Sequence, residues 1–293
     1  MTWKRVATAL VLIPVVVGLV LFTPTRVVAM ATAVITVLAL WEYFALGEAI
    51  GHRAYRVWTI LCALFFLLYS AGYGPWLGSI MSGGTNPETR EQLSQFLHAV
   101  NSPVTVLFLF IIGLASLSLW SKRPLVEALP AAGISSSGLL LVAFPLSYAV
   151  GLHAFPRVGP KLLLFALVIT WAGDTTAYFV GRAIGKHPLA PHISPKKTWE
   201  GSVGSMAGSL LVAWAFHYWI RIPIGHLMAM AVIGNVAGQM GDLLESAYKR
   251  SAGVKDSGGL LPGHGGVLDR IDALILCIPV IWYYLVLVNP VKL

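Results

Sequence analysis

Charged residues are scarce in this sequence: Asp, Glu, Lys and Arg make up 11% of its 293 residues, whereas soluble globular domains average about 25%. That scarcity excludes an ordinary soluble domain. Cysteine is scarce as well, with Cys62 and Cys277 as the two examples, each inside an apolar run. We interpret both as small buried hydrophobic side chains rather than as a disulfide or a metal site.

Long apolar runs fill most of the chain, which is 57% hydrophobic and has a mean hydropathy of +0.78. A helix that crosses a bilayer needs about 20 mostly apolar residues. The sequence therefore predicts an all-α polytopic integral membrane protein with about nine transmembrane helices. The predicted spans are residues 6–22, 27–46, 57–73, 102–120, 133–152, 161–180, 202–220, 225–241 and 271–289.

The first span could be mistaken for a signal peptide, because Lys4 and Arg5 precede an apolar core. No small-residue cleavage site follows it, and Pro24 and Arg26 lead directly into the next span, so we predict a retained helix. Lys and Arg concentrate on the side of the membrane that holds the N-terminus, which predicts an N-terminus inside and a C-terminus outside. The net charge of +8 is then a sign of membrane topology rather than of nucleic-acid binding.

The chain is predicted to divide into an N-terminal region, residues 1–160, with about five spans, and a C-terminal catalytic region, residues 161–293. The loop 74–101 is predicted to lie outside and carries no recognisable chemistry. More than half of the 12 acidic residues follow residue 170. Asp174 lies well inside an apolar run, where an unpaired carboxylate is costly, so it should face a polar cavity or a cation.

Two loops beside these spans suit phosphate binding. The first, Ser194–Gly201, contains Lys196 and Lys197 beside a candidate helix cap at Ser194 or Thr198, and helix N-termini favour anions. Positive-inside anchoring explains the two lysines equally well. The upstream segment Gly181–Lys186 is rejected as a nucleotide-binding P-loop, because no Ser or Thr follows the lysine and no strand precedes it.

The second loop, Ser246–Asp272, is a dense polar stretch between two apolar spans. Asp242 and Glu245 lie one helical turn apart at the end of the eighth span, and Asp269 and Asp272 repeat this spacing at the start of the ninth. Carboxylates from two neighbouring helix ends are a plausible Mg²⁺ site, since Mg²⁺ usually takes one or two carboxylates plus substrate phosphates. The glycines around His264 could expose backbone N–H groups to an anion.

These segments resemble the signature of the phosphatidate cytidylyltransferase (CDP-diacylglycerol synthase) family. The resemblance is strong over about residues 165–285 and extends to the N-terminal half only in hydropathy. Tyr248 departs from it mildly, because the family usually has an aliphatic residue or Phe there. The matching positions are Asp174, Tyr178, Gly181, Arg182, Gly185, Lys186, Ser194, Lys196, Lys197, Thr198, Glu200, Gly241, Asp242, Ser246, Lys249, Arg250, Lys255, Asp256, Pro262, His264, Gly265, Gly266, Asp269, Arg270 and Asp272.

The resemblance implies a Mg²⁺-dependent reaction at the cytoplasmic membrane, in which CTP and phosphatidic acid give CDP-diacylglycerol and pyrophosphate for phospholipid synthesis. It also implies a homodimer, and a second cation is left open. The predicted topology puts all of these loops on the inner, cytoplasmic side, where CTP is available. Since the net charge is explained by topology, no nucleic-acid partner is expected. The expected catalytic residues are Asp242, Asp269, Lys249, Arg250, Lys255 and Arg270. The expected substrate-binding residues are Lys196, Lys197, Ser194, Thr198, Ser246, His264, Gly265 and Gly266. Asp242 and Asp269 are the leading candidate metal ligands, with Asp174 and Asp272 as further ones.

Two other functions remain open at this stage. A transporter or channel would explain carboxylates inside spans, but not lysine-rich loops beside a His-Gly-Gly turn. A CTP-dependent polyprenol or phytol kinase would keep the nucleotide but require attack at the γ-phosphorus. The length of the matching signature favours the cytidylyltransferase over both.

Overall fold

Helices account for most of the protein, as the apolar runs predict. The structure is a computed structural model that describes residues 2–70, 102–260 and 265–288, with side chains described from residue 10 onward except at residue 69. The predicted loop 74–101 and His264 lie outside these ranges. The α-helices are α1 (Thr2–Phe22), α2 (Thr25–Ala49), α3 (Arg56–Ser70), α4 (Pro103–Trp120), α5 (Ala128–Gly138), α6 (Phe144–His153), α7 (Gly159–Ile184), α8 (Trp199–His217), α9 (Ile224–Ser251) and α10 (Leu268–Val288).

Three shorter elements complete the described secondary structure. A 3₁₀ turn, Leu125–Glu127, leads into α5, and a π-helical turn, Leu139–Ala143, joins α5 to α6 without a break in the helical path. Strands β1 (Pro188–Ala190) and β2 (Ser194–Thr198) form an antiparallel hairpin, with Pro188 opposite Thr198 and Ala190 opposite Ser194. The hairpin lies directly before α8, so it presents the predicted lysine-rich loop at a helix N-terminus.

Within the described residues, six helical segments are long and apolar enough to cross a membrane, as the predicted helical integral membrane protein requires. Leu10–Phe22 and Arg56–Leu68 are apolar but shorter, and α8 is not among the six segments. The predicted total of nine spans is therefore not confirmed. The six segments are Thr25–Ala49, Pro103–Trp120, Leu125–His153, Gly159–Ile184, Ile224–Ser251 and Leu268–Val288.

The helices pack as two units. One unit is Thr25–Val150, and its buried side chains include Phe44, Phe66 and Leu139. The other combines Met1–Pro24 with Gly151–Leu293. Packing thus groups the first helix with the C-terminal helices, whereas the predicted division after residue 160 was a functional one and stays a prediction.

Small residues bring α7 and α8 close together in the second unit. A methyl group on Gly208 would lie 2.4 Å from the Thr176 Oγ1 atom, and one on Gly204 would lie 2.7 Å from Val180 Cβ. Helices inside membranes associate through such small residues because lipid provides no hydrophobic drive for their contact. The close packing fixes the polar residues of α7 opposite those of α8.

Candidate active site

A cavity of about 610 Å³ lies where α7, the hairpin, α8 and α9 meet. Its polar lining combines carboxylates, cations and hydroxyl or amide groups, although three of the four elements are helices flanked by apolar residues. That mixture is typical of sites that bind polar ligands, because polar groups inside a membrane protein are otherwise costly. The polar lining residues are Asp174, Tyr178, Arg182, Lys196, Lys197, Thr198, Ser202, Ser205, Gln239 and Asp242.

The central contact of the cavity is an ion pair between β2 and α9, here called the cavity pair. The Lys197 Nζ atom lies 2.5 Å from the Asp242 Oδ2 atom, and the two side chains remain 27% and 29% exposed. Asp174 of α7 lies near enough to interact electrostatically with both charges of the pair. The cavity pair is thus formed by residues 45 positions apart in number but adjacent in space, and both remain accessible to a ligand.

Two further cations and a helix N-terminus add positive potential to the cavity. Arg182 donates from Nη1 to the Tyr178 hydroxyl at 3.0 Å, and Lys196 is exposed beside Lys197. Thr198 caps α8, since its Oγ1 atom accepts the Gly201 N–H at 3.1 Å. The cap orients the remaining N-terminal N–H groups of α8 at the cavity, where they favour an anion.

A chain of amide and hydroxyl groups begins in the cavity lining, at Ser202, Ser205 and Gln239, and continues between α8 and α9. Ser202 Oγ donates to Gln239 Oε1 at 2.5 Å, and Gln239 Nε2 donates to Asn235 Oδ1 at 2.6 Å. Asn235 in turn donates to the Oγ atoms of Ser205 and Ser209, each at 2.8 Å. Because every step is hydrogen-bonded, this network holds α8 and α9 in one register below the cavity pair.

This network was not predicted from the sequence, although the residue spacing contains a signal for it. Asn235, Gln239 and Asp242 follow one another at i, i+4 and i+7 along α9. Such a spacing places all three on one helical face. A polar stripe of this kind in an otherwise apolar span indicates a cavity or a polar helix contact.

A second group of charges lies at the junction of α9 and α10 and is called the buried charge cluster. Lys249 Nζ lies 2.5 Å from Glu245 Oε2 and 2.6 Å from Asp269 Oδ1. The side chains of Glu245, Lys249 and Asp269 are 5%, 11% and 7% exposed, respectively. One ammonium therefore bridges two carboxylates in a place from which water is largely excluded.

Asp269 also organises the loop that precedes α10. Its Oδ2 atom accepts the N–H groups of Ser257 at 3.0 Å and of Gly266 at 2.8 Å. Gly265 has φ +81°, and a methyl group there would lie 2.7 Å from Asp269 Oδ2, so both the backbone conformation and the space require glycine. The part of the predicted glycine turn that the structure describes is thus built around a carboxylate.

The hairpin is fastened to its surroundings from both sides. Arg250, at the end of α9, donates from Nε to the Ile193 carbonyl at 3.3 Å and from Nη1 to the Val254 carbonyl at 3.1 Å. His187 Nδ1 contacts Glu200 Oε1 at 2.6 Å, and this hydrogen bond lowers the pKa of Glu200 to about 2. These contacts hold Lys196 and Lys197 at the cavity.

The structure thus separates the predicted site residues into groups. Asp174, Lys196, Lys197, Thr198 and Asp242 line the cavity. Lys249 and Asp269 belong to the buried charge cluster, and Arg250 contacts the hairpin, while Lys255 and Arg270 are exposed. Asp272 interacts electrostatically with Asp242 and Asp174 of the cavity and with Glu245 of the buried charge cluster. Ser194 and Ser246 are half-buried beside these elements.

The carboxylates do not form a closed metal cage. Among the described residues, no three His, Cys, Asp or Glu side chains are clustered closely enough to hold a metal ion by themselves. Asp242 and Asp174 nevertheless face a cavity that has room for phosphate oxygens and water, which is the donor set Mg²⁺ ordinarily takes. Both oxygens of Asp269 already accept contacts from Lys249, Ser257 and Gly266, so its predicted ligand role fits this arrangement less well and stays a prediction.

The chain matches one protein family and one relative over nearly its whole length. The profile of the Cytidylyltransferase family matches residues 3–288. A phosphatidate cytidylyltransferase of Haemophilus influenzae is 37% identical over 291 residues, covering 96% of this chain and 97% of that protein. Proteins of the same name from Bacillus subtilis and Staphylococcus saprophyticus are 38% and 46% identical over shorter stretches, covering 53% and 42% of this chain and 58% and 48% of their own lengths. The chain belongs to the Cytidylyltransferase family.

Proposed function

We propose that this protein is a phosphatidate cytidylyltransferase that converts CTP and phosphatidic acid to CDP-diacylglycerol and pyrophosphate. The observation that carries the proposal is the cavity pair: an open lysine–aspartate contact among further cations, at the end of membrane-crossing helices. The near-complete match to the Haemophilus influenzae enzyme of that name supports the same reaction.

Both substrates are anions that must approach each other in spite of their charge. In the proposed step, an oxygen of the lipid phosphate attacks the α-phosphorus of CTP, and the bond to the β-phosphate breaks so that pyrophosphate leaves. The lipid phosphate is already ionised at neutral pH, so no strong general base is needed. Catalysis of such a transfer consists mainly of positioning and charge neutralisation.

The cations of the cavity suit this task. Lys197, Lys196 and Arg182 are placed to neutralise phosphate oxygens of CTP or lipid, and the α8 N-terminus adds oriented N–H groups. When a phosphate binds, it can take the Lys197 ammonium in place of Asp242, since both members of the pair are accessible. That exchange would release the Asp242 carboxylate for a cation.

Asp242 is the residue we propose for Mg²⁺, with Asp174 as its neighbour and Asp272 as a further or second-cation contact. Bound Mg²⁺ would supply Lewis-acid neutralisation of the phosphate oxygens. A further set of residues is proposed to shape the substrate-facing loop around this cavity. They are Lys249, Arg250, Lys255, Asp269 and Arg270, together with the turn at His264, Gly265 and Gly266. We also propose an active site on the cytoplasmic side with the N-terminus inside and the C-terminus outside, from the distribution of Lys and Arg. The homodimer is proposed from the family resemblance.

The experiment uses purified protein in detergent micelles with phosphatidic acid, Mg²⁺ and CTP labelled at either the α- or the γ-phosphorus. The proposal expects label in the lipid phase from α-labelled CTP only, with pyrophosphate released, and none when diacylglycerol replaces phosphatidic acid. Label transferred from the γ-position would instead identify a CTP-dependent kinase. No lipid label from either nucleotide, in a folded preparation, would overturn the proposal.

A further inference from the structure

A second cavity, here called the apolar groove, adjoins the first and has a volume of about 580 Å³. It lies between the faces of α8 and α9 that point away from α7, and its lining is almost entirely hydrocarbon. The residues that form its walls and base are Val203, Met206, Ala207, Val236, Met240 and Leu243.

The apolar groove is continuous with the polar cavity. Leu189, Ser202 and Gln239 line both. The hydrogen bond from Ser202 to Gln239, at 2.5 Å, therefore lies on the boundary between a charged compartment and an apolar one. A single ligand lying across this boundary would need an anionic group at one end and a hydrocarbon chain at the other.

The lining of the groove mixes exposed large side chains with a small one. Val203 and Met240 are 68% and 58% exposed. Ala207, one helical turn after Val203 on α8, contributes a side chain of one carbon. Concave apolar sites with a few polar groups at one end are the usual form of specific small-molecule sites.

We infer that the apolar groove holds one acyl chain of the lipid substrate while the lipid phosphate lies in the polar cavity. This inference rests on the proposed function, because it assigns a place to the lipid of that reaction. The groove would then act as a specificity element: it would bind the chain nearest the phosphate and align the attacking oxygen with the nucleotide.

The test compares two substitutions in the groove with a matched substitution outside it. Ala207→Phe and Val236→Phe would fill the groove. Val232→Phe is the control, because Val232 lies one turn away on the same helix, is also exposed at 39%, and does not line the groove. Each variant is assayed in mixed micelles with dioleoyl- and with dihexanoyl-phosphatidic acid, and the KM values for lipid and for CTP are determined separately.

Both groove variants are expected to lower kcat/KM for the dioleoyl substrate about tenfold relative to the dihexanoyl substrate, the scale of discrimination by an apolar pocket. The KM for CTP should not change, and Val232→Phe should keep the wild-type ratio. An unchanged ratio in both groove variants, or an equal change in the control, would contradict the inference and show that bulk lipid alone covers the groove. Absence of cytidylyl transfer in the wild-type protein would instead contradict the proposed function.

Discussion

The cavity pair and the buried charge cluster use the same kinds of residue in opposite ways. Lys197 and Asp242 pair in an open cavity with more than a quarter of each side chain exposed, whereas Lys249 and its two carboxylates are about nine-tenths buried. An exposed pair contributes little to stability and exchanges partners readily. A buried pair is costly to break, because removal of one partner leaves an uncompensated charge.

From this difference in exposure we infer that the two groups have separate roles, although the sequence pattern does not distinguish them. The cavity pair is available to substrates, while the buried charge cluster joins α9, α10 and the intervening loop through Ser257 and Gly266. Lysines and aspartates that look alike in the sequence can therefore have different roles. Some are accessible to a ligand, and others hold in place the helices and loops that carry the accessible ones.

The largest expected effect on stability is that of Lys249→Met. This change leaves Glu245 and Asp269 buried without their cation, so we expect the free energy of unfolding to fall by about 3–5 kcal/mol. Thermal unfolding in detergent measures it, with Lys122→Met at an exposed position as the control. Adding Glu245→Gln and Asp269→Asn should recover part of the loss, and an unfolding temperature equal to wild type would show that the cluster is not structural.

Lys197→Met should lower turnover strongly and change stability little, whereas Lys249→Met acts mainly on stability. Loss of a preorganised charge at the reacting phosphates typically lowers turnover about 100- to 1000-fold, while loss of an exposed ion pair changes stability by about 0–1 kcal/mol. Label transfer from CTP to lipid and the unfolding temperature are measured on one preparation. A variant that unfolds early but turns over normally would place Lys197 with the structural group instead.

Gly241→Ala should affect both groups, because Gly241 precedes Asp242 and lies where α9 meets α10. A methyl group at this position would lie 2.4 Å from the Asp272 carbonyl oxygen, so the helices must separate. We expect a loss of about 1–3 kcal/mol in stability, with a parallel fall in turnover. Gly225→Ala on the same helix meets nothing within 4 Å and should be neutral or stabilising; equal effects of the two changes would refute the packing argument.

The smallest effect on stability is expected at the His187–Glu200 contact. This contact lies outside both groups and serves as a reference for a weakly stabilising pair. The folded-state pKa of Glu200, about 2, lies below its ordinary value of 4.5. The contact therefore stabilises the protein above about pH 4.5, and this contribution is lost as the pH falls toward 2. The unfolding temperatures of wild type and Glu200→Gln should differ slightly at pH 7, differ less at pH 3, and converge near pH 2; a gap that widens in acid would reverse the assigned sign.

Much of the helical fold follows from the sequence because apolar runs and lysine-rich loops are local patterns. The same holds for Asp174, Lys197 and Asp242, whose charges stand out against apolar surroundings. The pairing of Lys249 with Asp269 spans 20 positions and depends on how two helices meet, which no spacing encodes. Asn235 and Gln239 were not predicted, because uncharged amides are inconspicuous in a sequence. In an apolar span, however, an amide indicates a cavity or a polar helix contact just as a charged residue does.

The most direct test of the division of tasks applies one substitution, Asp to Asn, in both groups. Asp242→Asn and Asp269→Asn are purified in detergent, their unfolding temperatures are recorded, and label transfer from α-labelled CTP to phosphatidic acid is measured with excess Mg²⁺. We predict that Asp242→Asn keeps the wild-type unfolding temperature and loses turnover about 100-fold or more, whereas Asp269→Asn unfolds earlier. Near-normal turnover by the folded Asp242→Asn protein would contradict the account.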